Sequence, residues 1–159
     1  MSFGGWSDFA PLHQAIIAVK KAGIVQIAAA GNEYGGQVIV PGAYPEVIAV
    51  SSTNDKNKIS FFSSIGKEVD LAAPGENIYS SFVDETGQPA FIYLSGTSMA
   101  CPHVVGSVAL LLATPRYKNA TPDEIKARLE RTAKDLGKVG WDIKYGHGLV
   151  KADLAVPGQ

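Results

Sequence analysis

An α/β fold built on a mostly parallel sheet is the architecture this sequence predicts, and three observations carry the prediction. Segments with helical periodicity alternate with strand-like ones. The strand-like segments are short, nearly continuous apolar runs, the pattern of strands covered on both faces. Between them lie glycine- and proline-rich stretches that read as surface loops.

Nearest the amino terminus, Ser7 can cap a helix over residues 7–22, with Leu12, Ile16 and Val19 on one face and Gly23 as its stop. Residues 24–30 form an apolar run of strand length. Gly31, Gly35, Gly36, Pro41 and Gly42 then mark a long loop, of the kind that often carries function, before a strand over residues 47–51. Shorter strands are predicted over residues 69–72, 78–82 and 91–94, separated by Pro74-Gly75 and Glu85-Thr86-Gly87 turns. The helix beginning at Ser98 is apolar nearly all round, through Val104, Val105, Val108, Leu110, Leu111 and Leu112, so it is expected inside a domain. Pro102 withholds the N–H that would bond the Ser98 carbonyl. Thr121-Pro122-Asp123-Glu124 is a capping box with proline at the first helical position, opening a surface helix to about residue 134.

Composition narrows the function classes. A chain of 159 residues has one-domain length, and 46% of them are apolar. The net charge of −1 offers no basic excess for nucleic acid or an anionic membrane. No run approaches the roughly 18 consecutive apolar residues of a spanning helix. Met1-Ser2-Phe3-Gly4-Gly5 has no charged start and apolar core, so no signal peptide is predicted there. Cys101 is the single cysteine, which excludes an intrachain disulfide and reads as a buried small residue.

The most informative stretch is Ser95-Gly96-Thr97-Ser98-Met99-Ala100-Cys101-Pro102-His103-Val104-Val105-Gly106. It sets a serine in the first turn of an apolar helix, where free N–H groups and the positive end of the helix dipole favour developing negative charge. Gly96 has no Cβ and lets another backbone approach. Taken alone, Gly-Thr-Ser reads as a helix cap, and Asn32 as a turn residue after a strand.

The full string changes that balance. Gly-Thr-Ser-Met-Ala-x-Pro-His-Val-x-Gly resembles the nucleophile motif of the subtilisin-like serine proteases. Ala28-Ala29-Ala30-Gly31-Asn32-Glu33 is similar to the segment that carries their oxyanion-hole asparagine. Residues 1–5 resemble a substrate-binding strand, residues 41–50 the strand that follows, and Gly146-His147-Gly148-Leu149-Val150 the closing segment. The likeness runs from Met1 to about Ala155. It implies part of a doubly wound, mostly parallel sheet with helices on both faces.

It also implies roles. Ser98 would attack a peptide carbonyl, and the Asn32 amide with the Ser98 N–H would hold the oxyanion. Ser2, Phe3 and Gly4 would pair with the extended substrate. With Ala29, Ala30 and Gly31 they would wall the pocket for the side chain before the scissile bond, leaving room for a medium or large apolar group. Glu33 would stand at the rim, open to a basic one, and Phe3 replaces a usual aliphatic residue. Met99 would be an oxidisable neighbour of the nucleophile. The resemblance implies no cofactor for catalysis. Relatives commonly bind structural calcium, but no complete set of oxygen ligands stands out.

In that family the catalytic aspartate and histidine lie upstream of the segment matching Met1 to Gly5. Residues 1–159 are therefore expected to be the carboxyl-terminal portion of one catalytic domain, without its Asp/His segment. The histidines here are poor substitutes. His103 is about 140° around the helix from Ser98, His13 belongs to the first helix, and His147 sits in a terminal loop. The favoured function is a serine endopeptidase completed by an upstream segment or partner chain, with extracellular action common among relatives. The alternative is a non-catalytic peptide-binding module. Either way, half of a doubly wound sheet would leave an open edge and apolar surface for a partner or self-association.

Overall fold

The computed structural model describes residues 1–156. In chain order these form α1 (Ala10–Lys21), β1 (Ile27–Ala29), β2 (Ile48–Thr53), β3 (Val69–Pro74), β4 (Ile78–Val83), β5 (Pro89–Leu94), α2 (Thr97–Leu112), α3 (Pro122–Thr132) and α4 (Ala152–Ala155). β1, β2 and β3 lie in that order in one parallel sheet. β4 and β5 pair antiparallel as a separate ribbon. The fold is α/β as expected, with the last two predicted strands outside the main sheet.

Side chains alternate across the sheet. Ile27, Ala29, Ile48, Val50, Leu71 and Ala73 pack with Ala100, Val104, Val108 and Leu111 of α2 and Ile125 and Leu129 of α3. Ala28 joins a different cluster, with Ile16 of α1, Tyr44 and Val47. Ala30, Ala49 and Val69 pack with Val38. With both faces covered, the continuous apolar runs have their physical reason.

Two helix boundaries differ from the sequence reading. α1 starts at Ala10, with Phe9 as N-cap and no side chain capping it, so Ser7 is not the cap. Pro11 lies in the first turn, where its fixed φ is already helical, and this places the start beyond reach of Ser7. At the other end Gly23 does act as the stop, at φ +81°. Its N–H donates to the Lys20 carbonyl (2.9 Å) and the Ile24 N–H to that of Val19 (3.2 Å), the paired bonds of a Schellman end. Ile24 therefore belongs to the cap, and the strand begins only at Ile27.

α2 runs unbroken through Pro102, and its buried residues include Thr97, Ala100, Cys101, Val104, Val108 and Leu111. Its other face is not enclosed by the described residues: Val105 is 44% and Leu110 57% exposed. This corrects the expectation of a fully interior helix. Beside that face an apolar cavity of about 540 Å³ is lined by Met1, Ile24, Val25, Ile27, Val105 and Leu112, among others. The Met1 ammonium donates to the Ile27 carbonyl (2.6 Å), and the Ala29 N–H donates to the Met1 carbonyl (3.0 Å). That is the hydrogen-bond pattern of a parallel neighbour along the outer edge of β1. α3 opens on both halves of the predicted capping box. It ends at Thr132, before Lys134 bridges Leu149.

Candidate active site

The start of α2 is held from behind by the end of β3. The Gly96 N–H donates to the Gly75 carbonyl at 2.7 Å. A Cβ on Gly75 would lie 2.7 Å from the Gly96 oxygen and against the Ser52 hydroxyl, so this approach requires glycine. The close contact expected at Gly96 is thus made at Gly75. A Cβ on Gly96 would meet nothing nearer than 3.6 Å.

Thr97 ties the helix start to the end of β1. Fully buried, it donates both its backbone N–H and its hydroxyl to Asn32 Oδ1, each at 3.0 Å. The same hydroxyl accepts the Gly31 N–H at 3.2 Å. Two donors on Oδ1 settle which way the amide faces, because a flipped Asn32 would turn its own donor against them. Nδ2 is left for other partners. It lies 3.6 Å from the point a Cβ on Gly96 would occupy, and the Ser98 nitrogen lies 3.6 Å from that same point. As a first-turn residue, Ser98 has no intrahelical acceptor for its N–H. Both nitrogens therefore lie near one small volume at the start of α2.

Ser98 is half-buried and tied to Ser2 in both directions. The Ser2 hydroxyl donates to the Ser98 carbonyl at 3.0 Å, and the Ser98 hydroxyl lies 3.5 Å from the Ser2 carbonyl. The first bond is available because Pro102, four residues on, cannot use that carbonyl.

A pocket of about 210 Å³ opens from this corner, lined by Ser2, Phe3, Gly4, Ala29, Gly31, Asn32, Glu33, Ile39, Thr97 and Ser98. The predicted wall residues line it, with one exception. Ala30 is fully buried against Val38, Ala49 and Val69, because its side chain leaves the strand on the other face. Ile39 was not anticipated from the sequence. It arrives through long-range pairing: the Ile39 N–H donates to the Ala30 carbonyl, and Val40 forms a two-bond antiparallel bridge with Gly5.

A second cleft, of about 510 Å³, lies between the β4–β5 ribbon and α2, with Ser98, Met99 and His103 on its wall. His103 lines the same cleft as Ser98 without a hydrogen bond to it. Its Nδ1 is 2.9 Å from the Met99 carbonyl, within its own helix. The other two histidines are engaged elsewhere. His13 stacks on Tyr44 at 4.0 Å and meets Glu46 at 3.1 Å. His147 lies 3.8 Å from Glu130 on α3. Burial is the main cause that raises the Glu130 carboxyl above its ordinary value, against the pull of His147 and Lys126. Cys101 is buried, as expected.

Two polar turns use their side-chain oxygens internally. Asn54 Oδ1 accepts the Lys56 and Lys58 N–H groups, and Asp84 Oδ1 accepts from Thr86 and Gln88. These oxygens close their own turns. Among the described residues no group of three or more His, Cys, Asp or Glu side chains is arranged to hold a metal ion.

Fold and corner together define an α/β protein with a serine at the tip of a helix across the sheet and a pinned carboxamide beside it. Residues 1–148 match the model of the subtilase family, and the chain belongs to that family. It is 38% identical to subtilisin DY of Bacillus licheniformis, over 98% of this chain and 55% of that protein. It is 37% identical to the minor extracellular protease Epr of Bacillus subtilis, over 95% of this chain and 23% of Epr. The halolysin-like extracellular serine protease Nep of Natrialba magadii is 41% identical over 84% of this chain and 23% of its own length. The chain thus spans between about a quarter and about half of these relatives.

Proposed function

We propose that this chain carries the nucleophile and the oxyanion-binding groups of a subtilisin-like serine endopeptidase. The Ser98 hydroxyl attacks the carbonyl carbon of a peptide bond, and the carbonyl oxygen becomes an oxyanion. Asn32 Nδ2 and the Ser98 N–H receive that charge, helped by the dipole of α2. The carbonyl then re-forms, the leaving amine departs with a proton, and an acyl-enzyme remains on Ser98 for water to hydrolyse. Ser2, Phe3 and Gly4 pair with the extended substrate as an added strand. Glu33 lines the same pocket.

The observation that carries this reading is the fixed orientation of Asn32. Thr97 occupies Oδ1 twice, so a donor rather than an acceptor is presented beside Ser98. Family membership and relatives named as proteases support the same chemistry. Two relatives are named extracellular, which favours an extracellular setting for this protein too.

The base and its orienting acid come from an upstream segment or a partner chain. None of the three histidines is hydrogen-bonded to Ser98 among the described residues. The exposed face of α2, beside the apolar cavity at Met1, offers a surface on which such a segment can dock. The second reading is a peptide-binding module without catalysis, which the pocket beside Ser98 would serve equally.

A fluorophosphonate probe separates the two. The chain alone should label slowly at Ser98, and addition of a fragment bearing the family's Asp and His should accelerate labelling. Loss of the histidine in a subtilisin-type triad, a figure measured on subtilisin itself, costs about 10⁶ in turnover. In the completed enzyme Asn32→Ala should lower turnover by about 10²–10³, a range also established on subtilisin. Rapid labelling of the chain by itself would mean a base within it, and no acceleration by the fragment would favour the binding module.

A further inference from the structure

We propose that Ile39 closes the floor of the pocket beside Ser98, so that the site selects peptides with a small residue, glycine, alanine or serine, before the scissile bond. This rests on the peptidase reading and deepens it by naming the substrate class.

The pocket that contacts Ser98 and Asn32 together is the one holding Gly4 and Gly31. A carbonyl seated between those two nitrogens directs the side chain on its acyl side into that pocket. Two glycines facing one gap would leave it wide. Ile39 fills it instead. Its Cγ1 lies 3.0 Å from the Cβ position of Gly4 and 3.0 Å from that of Gly31. Its Cδ1 lies 2.7 Å and 3.3 Å from the same two points. The branched side chain therefore occupies space that a side chain at either glycine would need.

The plug is held in place. The Ile39 N–H donates to the Ala30 carbonyl at 3.0 Å, and the Ile39 carbonyl accepts the Ala43 N–H at 3.1 Å. The next residue is paired twice with Gly5, at 2.9 and 3.0 Å. A β-branched side chain on so fixed a backbone has one preferred χ1 well and little freedom to swing aside. An incoming phenyl or isobutyl group meets the Ile39 methyls, whereas a methyl or hydroxymethyl group stays above them. The small walls read from the sequence promised room for a large apolar group, and Ile39 narrows that room.

The test is equilibrium binding of acetyl-Ala-Ala-X carboxylates, X being Gly, Ala, Leu or Phe, followed by the amide shifts of Gly31 and Ser98. Hydrolysis is not needed. The Ala peptide should bind at least about tenfold more tightly than the Phe peptide, the scale of selectivity a shaped apolar pocket provides. Ile39→Ala should move that ratio at least about tenfold towards Phe. Ile39→Val, which keeps the branch, should move it less and in the same direction, and it serves if Ile39→Ala fails to fold. Equal binding of Ala and Phe peptides by the unsubstituted chain overturns the proposal, as does an unchanged ratio in the folded variants or no binding of any peptide. Fluorophosphonate labelling distinguishes the two readings. If Ser98 stays inert with the Asp/His fragment while the Ala peptide still binds selectively, the catalytic reading falls and the role of Ile39 stands. If Ser98 labels but Phe binds as well as Ala, the role of Ile39 alone falls.

Discussion

Replacing Thr97 by valine removes one oxygen and almost no volume, yet it should cost more than most surface changes on this chain. The lost hydroxyl accepts the Gly31 N–H and donates to Asn32 Oδ1. Gly31 is buried, so its N–H would be left without an acceptor, a cost of about 1–3 kcal/mol. The neutral bond to Asn32 adds about 0.5–1.5 kcal/mol. Urea unfolding should therefore show a loss of about 1.5–4.5 kcal/mol at unchanged slope. Hydrogen exchange of the Gly31 amide should quicken in the same variant. Asn32 keeps only the backbone bond from Thr97, so its amide loosens and labelling of Ser98 in the completed enzyme should slow. Thr97→Ser, which keeps the hydroxyl, should restore the Gly31 protection. A Thr97→Val protein within about 0.5 kcal/mol of the parent, with Gly31 still protected, would show that this hydroxyl does not organise the corner.

Other outcomes can be checked on the same protein. Thr121→Ala should lower stability by about 1 kcal/mol through loss of the α3 cap, read by thermal or urea melts. The Glu124 carboxyl is held below its usual range by the Thr121 N–H and hydroxyl, so its contribution is present above the unfolded value of about 4.3 and is lost as pH falls through the lower folded value. Glu124→Gln should flatten the stability profile on that acid side. Glu130 has the opposite sign. Its raised folded value favours the protonated carboxyl, so the associated stability is full below about pH 4.3 and declines as pH rises through the folded value. Glu130→Gln should remove that decline. Peroxide treatment should slow Ser98 labelling in the completed enzyme through Met99 sulfoxide, and Met99→Leu should abolish the sensitivity.

How legible each element was in the sequence depended on the range of the interactions that set it. The α3 cap was readable because Thr121 and Glu124 satisfy each other within four residues. The stop at Gly23 was readable for the same local reason. Ser7 misled because a capping side chain is one signal among several, and Pro11 was the stronger. The start of β1 was blurred because an apolar run does not distinguish a residue closing a helix cap, such as Ile24, from a strand residue. Within the site, Ser98 and Asn32 stood out through their motifs. Ile39 did not, since its place between Gly4 and Gly31 depends on hydrogen bonds to Ala30 and from Ala43. Ala30 was misassigned because a motif names a segment, whereas the face a residue points to is settled by the sheet. The exposed side of α2 escaped for a related reason: an all-apolar helix shows that it needs cover, not which chain supplies it.

Under the function proposed above, the reciprocal contact between Ser2 and Ser98 would couple substrate pairing to the nucleophile. A peptide paired along the first residues would then shift a partner of the same serine that is proposed to react. Swapping Ser2 to tune affinity would consequently retune the reactive rotamer as well. Engineers of this site cannot adjust grip and trigger as independent dials.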